Sequence, residues 1–156
     1  MDSALKKVKR KKYTDPPTQL TDLTGLRVVV VSKAAVERVN EAIRSLFEVD
    51  EANSCDKTSE LGVDQIGYRS IHFVCKLGSS RTCLPEYSNY ADFKFEIQVR
   101  TVLENIWADA SHNAIYKLDG EVPPELIRRL NLWSAQFEMF DADITELTER
   151  LKGRKP

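Results

Sequence analysis

The sequence has few cysteines and histidines, the residues that cross-link small proteins through disulfide bonds or bind transition metals. Three cysteines, Cys55, Cys75 and Cys83, and two histidines occur among its 156 residues. An odd number of cysteines without metal-type spacing argues against both a disulfide framework and a zinc site. The cysteine content therefore predicts a protein of a reducing compartment.

Long apolar runs and a large excess of either charge are also absent. Hydrophobic residues make up 42% of the chain and charged residues 30%, and the formal net charge is −1. No run is long enough to cross a bilayer and no secretory signal is recognisable, which predicts a cytoplasmic protein. The length and composition are typical of one globular domain, so residues 1–156 are predicted to form a single domain.

The basic residues are nevertheless unevenly placed, because six of them fall between Lys6 and Lys12. Such a cluster can attract the phosphate of a nucleotide or a nucleic acid, and it can equally be a solvated terminus. A single-strand reader would place aromatic residues among the cations, and the cluster lacks them. A nucleic-acid-binding module is therefore the least favoured of the functions considered.

Hydrophobic periodicity predicts a mixed α/β architecture. The β-branched run over residues 27–32 predicts a strand buried on both faces, and Ser32 can cap a helix that follows it. Residues 70–77 alternate as a half-buried strand does, whereas residues 50–66 and 78–89 lack a period and are predicted to be loops. The elements are too few and irregular for a doubly wound parallel sheet, so an α+β mixed sheet with flanking helices is expected.

The segment FEIQVRT, residues 95–101, alternates without interruption and predicts a third strand. Its polar residues, Glu96, Gln98 and Arg100, all lie on one face. That face either meets bulk water or belongs to a site built on a rigid element. Alternation alone favours the first interpretation.

The strand leads directly into a helix that has a clear start signal. Thr101 and Glu104 form a T-x-x-E capping box, which predicts Thr101 as the N-cap of a helix that runs to about Lys117. The helix is predicted to bury an apolar stripe made of Leu103, Ile106, Trp107 and Ala110.

A long helix is predicted for residues 123–151, starting at the two prolines 123 and 124. Its apolar residues alternate spacings of four and three and form an unbroken heptad seam: Leu126, Leu130, Trp133, Phe137, Phe140, Ile144, Leu147 and Leu151. Ordinary packing on the sheet is one explanation of this seam. The other is that part of it pairs with a second subunit, which predicts a homo-oligomer, a dimer or tetramer, held by this helix.

Three stretches place polar side chains where a sheet edge would gather them: residues 22–27, 67–72 and 96–100. The acids Asp22 and Glu96 can share Mg²⁺, which takes one or two carboxylates and completes its shell with water and phosphate oxygens. Arginines in the same stretches supply bidentate donors for phosphate, and Tyr68 offers a ring for stacking. Because no nucleophile–base pair stands out, the pattern favours phosphoryl or pyrophosphoryl transfer over acyl transfer.

These segments resemble a known family. The motifs LTDLTGLRVVV, GYRSIHFV and FEIQVRTVLENIWADASHNAIYK are similar to the synthetase domain of RelA/SpoT proteins, which make the alarmones ppGpp and pppGpp. NSCDK and LPEY fit its small single-domain branch, the small alarmone synthetases. The resemblance runs from about Ser3 to Lys117. It implies a nucleotidyltransferase-like fold and Mg²⁺-dependent transfer of pyrophosphate from ATP to the 3′-hydroxyl of GDP or GTP.

The resemblance also implies roles for individual residues. Asp22 matches the metal-binding aspartate, and Glu96 matches the catalytic glutamate held near the metal and the acceptor hydroxyl. Tyr68 matches the tyrosine that stacks on guanine, and Gln98 and Asn105 match polar groups around the guanosine. The positions that match the phosphate and ATP side are Ser3, Lys7, Arg10, Arg27, Arg100 and Lys117. No role is assigned to Lys57, and a structural role is favoured for His72 and His112.

The sequence departs from the family at its beginning. The family's ATP-binding segment has an R-x-K pair upstream of the serine that Ser3 matches, and this pair would fall before Met1. Residues 1–13 would then be a remnant of that segment. Two fewer charge-assisted contacts to ATP predict an impaired or inactive synthetase. The alternative is a guanine-nucleotide-binding pseudoenzyme, or an interaction module, with little or no turnover.

Overall fold

The computed structural model describes residues 24–116 and 122–152 of the chain. Within these ranges the strands are β1 (Gly25–Val30), β2 (Glu48–Val49), β3 (Cys55–Asp56), β4 (Ile71–Lys76) and β5 (Phe95–Thr101). The helices are α1 (Lys33–Leu46), α2 (Ser79–Thr82), α3 (Val102–Tyr116) and α4 (Pro124–Lys152), and a 3₁₀ turn spans Ser88–Tyr90.

The five strands form one mixed sheet in the order β1-β5-β4-β2, and β3 pairs with β4. β2 is antiparallel to β4, with Glu48 opposite Lys76 and Val49 opposite Cys75. The predicted fold class, a mixed sheet with flanking helices and a long C-terminal helix, is confirmed. The described part contains no helix both long and apolar enough to cross a membrane.

The described chain divides into two compact units. The first contains residues 24–27, 41–55 and 72–98, and the second contains residues 28–40, 56–71, 99–116 and 122–152. The boundary crosses β5 after Gln98. Glu96 and Gln98 therefore belong to the first unit, and Arg100 belongs to the second.

The core of the first unit is built on β4 and β5. Phe73, Val74 and Cys75 are buried in β4, and Ile97 is buried in β5. The prediction that only one face of β4 is apolar and covered was incomplete, because Val74 points away from Phe73 and is buried as well. Burial raises the pKa of the Cys75 thiol to about 11, so this cysteine is an inert core residue at neutral pH.

The prediction that the first strand is buried on both faces was wrong. Leu26, Val29 and the following Val31 are all exposed. Among the described strands, β1 lies at the end of the sheet order and neighbours β5 alone. An edge strand can be as rich in β-branched residues as a central one, so composition does not reveal its position. The cap after β1 was predicted correctly, since Ser32 Oγ accepts a hydrogen bond from Ala35 N at 3.3 Å.

The capping box at the start of α3 is confirmed. Glu104 Oε2 accepts a hydrogen bond from Thr101 N at 2.8 Å, and Thr101 Oγ1 accepts one from Glu104 N at 3.1 Å. The predicted apolar stripe is not what α3 buries, however. Its buried residues are Glu104, Ala108 and Ser111, whereas Ile106 is exposed. The capping carboxylate faces inward, and the residues four and seven positions later share its face.

The remaining differences concern short elements and the last helix. β3, α2 and most of the 3₁₀ turn lie in segments that were predicted to be loops. β2 lies where no strand was predicted. α4 begins at Pro124 as predicted. Its most buried residues, Leu130, Ser134 and Asp141, include two polar residues that lie beside the heptad seam.

Candidate active site

In the first unit, Glu96 is held from its own strand and from β4. Gln98 Nε2 donates a hydrogen bond to Glu96 Oε1 at 2.6 Å, and His72 Nδ1 lies 3.3 Å from Glu96 Oε2. All three side chains are half-buried. A carboxylate so placed is fixed in orientation and still reachable, which suits a proton acceptor or a metal ligand.

Strand geometry accounts for this arrangement. Residues two apart on β5 project from the same face, so Gln98 lies beside Glu96 along the strand. β4 is the neighbour of β5 in the sheet and carries His72 as its second residue. Sequence reasoning favoured a structural role for His72 and missed its contact with Glu96. The only signal was a polar residue in an apolar strand, and the partner depends on strand pairing.

In the second unit, Tyr68 is held by Arg100. The Arg100 side chain is 4% exposed, and its guanidinium carbon lies 5.0 Å from the centroid of the Tyr68 ring. Its Nη2 donates to the Tyr68 hydroxyl, and its Nε donates to Ser70 Oγ at 3.1 Å. The cation therefore stabilises the ring through its face and its hydroxyl. A phosphate-binding role for Arg100 stays a prediction.

Tyr68 also contacts Trp107. Sequence reasoning placed Trp107 in the apolar stripe of α3 and did not predict this contact. The two ring centroids are 6.3 Å apart and the planes are tilted by 43°. The indole Nε1 donates to the carbonyl oxygen of Leu130 on α4 at 2.7 Å, which fixes the indole. Tyr68 itself is half-buried, so part of its ring is available to a ligand.

Polar groups are also buried where α3 begins. Thr101 Oγ1 donates a hydrogen bond to Asp141 Oδ2 at 2.8 Å, and Lys33 Nζ forms an ion pair with Glu104. Burial raises the pKa of Asp141, and the hydrogen bond from Thr101 opposes this shift. An adjacent polar cavity of about 200 Å³ is too small for a nucleotide; it is lined by Lys33, Val36, Glu37, Asp56, Thr58, Ser70, Ile71, Val99 and Glu104.

A larger apolar cavity of about 390 Å³ lies in the first unit. Its lining residues are Thr24, Leu26, Phe47, Leu77, Tyr90, Phe93, Lys94 and Phe95. Its cation, Lys94, forms an ion pair with Asp50 at 2.6 Å and lowers the pKa of that carboxyl. None of the predicted nucleotide-binding residues that the structure describes lines this cavity, and its apolar wall does not suit a triphosphate.

Two other predicted site residues lie within the described ranges. Arg27 is exposed on β1, and Asn105 is half-buried in the first turn of α3, where its Nδ2 donates to Asp109 Oδ2 at 3.1 Å. Five predicted site residues fall outside the described residues: Ser3, Lys7, Arg10, Asp22 and Lys117. Among residues 24–116 and 122–152 there is no group of three or more potential metal ligands.

Comparison with known proteins identifies the family. Residues 1–121 match the model of the region found in RelA / SpoT proteins. The chain belongs to this family. Among curated relatives, the GTP pyrophosphokinase YjbM of Bacillus subtilis (strain 168) is 27% identical over 146 residues, which cover 93% of this chain and 66% of YjbM. The GTP pyrophosphokinase YwaC of the same strain is 38% identical over 64 residues, or 41% of this chain and 28% of YwaC.

Solved structures support the same assignment. The crystal structure of small alarmone synthetase 1 from Bacillus subtilis has a TM-score of 0.80 at 26% identity and covers 99% of this chain and 76% of that chain. The same synthetase bound to its product pppGpp has a TM-score of 0.76 at 28% identity, covering 96% and 74%. A GTP pyrophosphokinase family protein from Streptococcus pneumoniae has a TM-score of 0.78 at 25% identity, covering 100% and 76%. The RelA/SpoT resemblance predicted from the motifs is confirmed.

Proposed function

We propose that this chain is an alarmone synthetase-type domain that transfers pyrophosphate from ATP to the 3′-hydroxyl of GDP or GTP. The observation that carries the proposal is the oriented carboxylate of Glu96, held by Gln98 and His72 in a chain of the RelA/SpoT family. The pppGpp bound to the Bacillus subtilis synthetase supports the nature of the product.

In this reaction a bond forms between the 3′-oxygen of the guanosine nucleotide and the β-phosphorus of ATP. The bond between the β-phosphorus and the oxygen that bridges it to the α-phosphorus breaks, and AMP leaves. Glu96 accepts the proton of the attacking hydroxyl, and the contacts from Gln98 and His72 keep its oxygens in place. Tyr68 stacks on the guanine base, while Arg100 and Trp107 hold its ring.

Glu96 offers the hard carboxylate oxygens that Mg²⁺ prefers, and Asp22 is proposed as the second carboxylate. When bound, Mg²⁺ supplies neutralisation of the charge on the phosphates. Asn105, Arg27 and Arg100 keep the roles implied by the resemblance, on the guanosine side for Asn105 and on the phosphate side for both arginines. Ser3, Lys7, Arg10 and Lys117 are likewise proposed to contact ATP or phosphate.

The substitution Glu96→Gln tests the catalytic assignment. It keeps the size of the side chain and removes the proton acceptor, so Mg²⁺-dependent ppGpp formation should fall about 10²–10⁴-fold while the protein still folds. The matched control is Glu41→Gln, since Glu41 is exposed on α1 and distant in sequence from the motifs. Equal turnover of wild type and Glu96→Gln would refute the assignment.

The same assay measures the turnover of the wild type. If wild type forms no ppGpp, calorimetry with GDP and with ATP separates the two alternatives. Binding of GDP that is tighter than binding of ATP and is weakened by Tyr68→Ala indicates a guanine-nucleotide-binding pseudoenzyme. A chain that binds neither nucleotide is an interaction module, and the synthetase proposal is then wrong.

We also propose that the chain forms a homo-oligomer, a dimer or tetramer, through α4. Trp133, Phe140 and Leu147 follow one another at seven-residue intervals and are 44%, 54% and 59% exposed. Large apolar side chains exposed in a row along one edge of a helix are typical of a surface that contacts another protein. Light scattering should give a multiple of 17.8 kDa for wild type and a smaller mass after all three residues are changed to serine. A wild-type monomer at micromolar concentration would contradict this proposal.

A further inference from the structure

The two residues that flank Tyr68 are anchored to a single residue of α4, Gly67 through its carbonyl and Arg69 through its side chain. Ser134 Oγ donates a hydrogen bond to the Gly67 carbonyl at 2.9 Å, and Arg69 Nη2 donates one to the Ser134 carbonyl at 2.8 Å. Ser134 is 1% exposed and Arg69 is 5% exposed, so both donor side chains are shielded from water. Residues 66–69 belong to no helix or strand, so the hydrogen bonds of Gly67 and Arg69 with Ser134 help to set the course of the backbone there.

The guanidinium of Arg69 reaches beyond Ser134. Its Nη1 pairs with Glu138 on α4, and its Nε lies 3.9 Å from Glu104 Oε1 at the start of α3. Arginine is seldom this buried, and a buried charge is tolerated only when it is paired and hydrogen-bonded. The residue next to Tyr68 is thus fixed to both long helices of the second unit.

The ring of Tyr68 is linked to the same face of α4 by a second route. Trp107 contacts the ring and donates its indole N–H to the Leu130 carbonyl. Leu130 and Ser134 are four residues apart, so they lie one turn apart on one face of the helix. One face of α4 therefore fixes both the backbone at Tyr68 and an aromatic neighbour of its ring.

We propose that Arg69 and Ser134 are positioning residues for guanine recognition, holding Tyr68 in the orientation that stacks on the base. This inference rests on the proposed function, in which Tyr68 is the guanine platform. Neither residue was singled out by sequence reasoning in this role. Both act through Tyr68 and not by contact with the nucleotide.

Ser134→Ala is the informative substitution, because it removes the hydrogen bond to Gly67 and leaves the helix intact. Loss of one buried hydrogen bond should weaken GDP binding about tenfold and leave ATP binding unchanged. Gln136→Ala is the matched control, since Gln136 is exposed on the same helix. Arg69→Lys keeps the charge but loses the planar fork, and it should weaken GDP binding at least as much.

A double-mutant cycle with Tyr68→Ala distinguishes positioning from a general structural effect. If Ser134 acts through Tyr68, Ser134→Ala weakens GDP binding in the wild-type background and has no effect in the Tyr68→Ala background. An equal loss of GDP affinity in both backgrounds, or an equal loss for ATP and GDP, would overturn the proposal.

A ligand-free measurement separates failure of this proposal from failure of the proposed function. With Trp133→Phe in every variant, Trp107 is the remaining tryptophan and reports on its contact with Tyr68. Ser134→Ala should shift Trp107 emission, Gln136→Ala should not, and the shift should vanish in the Tyr68→Ala background. If wild type binds no GDP but the emission shifts are as expected, the proposed function is wrong, whereas the inference that Ser134 holds Tyr68 in place is retained. Unchanged Trp107 emission in Ser134→Ala would show that Ser134 does not hold Tyr68 in place, and this would overturn the proposal.

Discussion

The heptad seam of α4 has two edges that share an apolar composition and differ in environment. One edge is buried or half-buried over its first three positions: Leu130, Phe137 and Ile144. The other edge is half-buried at its first position, Leu126, and exposed at the next three: Trp133, Phe140 and Leu147. A tryptophan and a phenylalanine thus lie on the solvent side of α4.

The inner side is distinguished by hydrogen bonds more than by apolarity. Ser134 and Asp141 are each 1% exposed, which is less than any residue of the seam. Ser134 bonds to Gly67 and Arg69, and Asp141 bonds to the N-cap hydroxyl of α3. Specific polar contacts therefore fix the rotation of α4, and much of the other apolar edge is left exposed.

The largest expected difference between the two edges is in the free energy of unfolding. Leu130→Ala removes a buried side chain and should lower that free energy by about 2–5 kcal/mol in urea titrations. Leu147→Ala, at the exposed edge, should change it by less than about 0.5 kcal/mol at the same dilute protein concentration. Equal effects of the two substitutions would show that both edges are packed alike.

The polar side of the comparison can be tested at Asp141. Asp141→Ala leaves the Thr101 hydroxyl without its buried acceptor, so the free energy of unfolding should fall by about 1–3 kcal/mol. The control is Asp143→Ala, since Asp143 is exposed on the same helix. If Asp141→Ala leaves the free energy of unfolding unchanged, then burial at this position, and not the hydrogen bond, orients α4.

The pH dependence of stability sharpens the same point. Burial raises the pKa of Asp141 above its ordinary value of 3.8, despite the charges of Lys33 and Arg69 nearby. The folded state therefore binds the proton of the Asp141 carboxyl more tightly than the unfolded state does. The resulting contribution to the free energy of unfolding is present below pH 3.8 and is lost as the pH rises through the folded-state pKa of Asp141.

Asp141→Asn cannot titrate at this position and provides the reference. The unfolding free energy of wild type minus that of Asp141→Asn should fall as pH rises from about 4, by at most about 1.4 kcal/mol per pH unit, and then level off. Urea titrations of both proteins at several pH values measure the difference. A difference that grows with pH would contradict the direction of the pKa shift.

The smallest expected effect on unfolding concerns the exposed edge. Phe140→Ser should change the free energy of unfolding of the dissociated chain by less than about 0.5 kcal/mol, because the ring already contacts water. If α4 mediates association, the same change should raise the dissociation constant of the oligomer in sedimentation experiments. Strong destabilisation at high dilution would show that Phe140 packs within its own chain.

Local features of the fold could be predicted from the sequence. The capping box joins Thr101 and Glu104, which are three residues apart, so helix geometry alone brings them together. The strand over residues 95–101 follows from alternation, and the start of α4 follows from Pro124. The family motifs identified the family to which the chain belongs, and the site residues that they imply stay predictions. Each of these features depends on residues that lie close together in the sequence, so it can be read without knowing how the rest of the chain folds.

Contacts between distant segments were decided only by the tertiary structure. His72 meets Glu96 because β4 and β5 are neighbours, and Arg69 meets Ser134 although 65 residues separate them. The sequence by itself determined that α4 carries a continuous apolar seam. Which edge of that seam is buried depended on where the buried hydrogen bonds of Ser134 and Asp141 could form. Those partners lie on other elements, and their positions result from the packing of the whole unit, which no local pattern encodes.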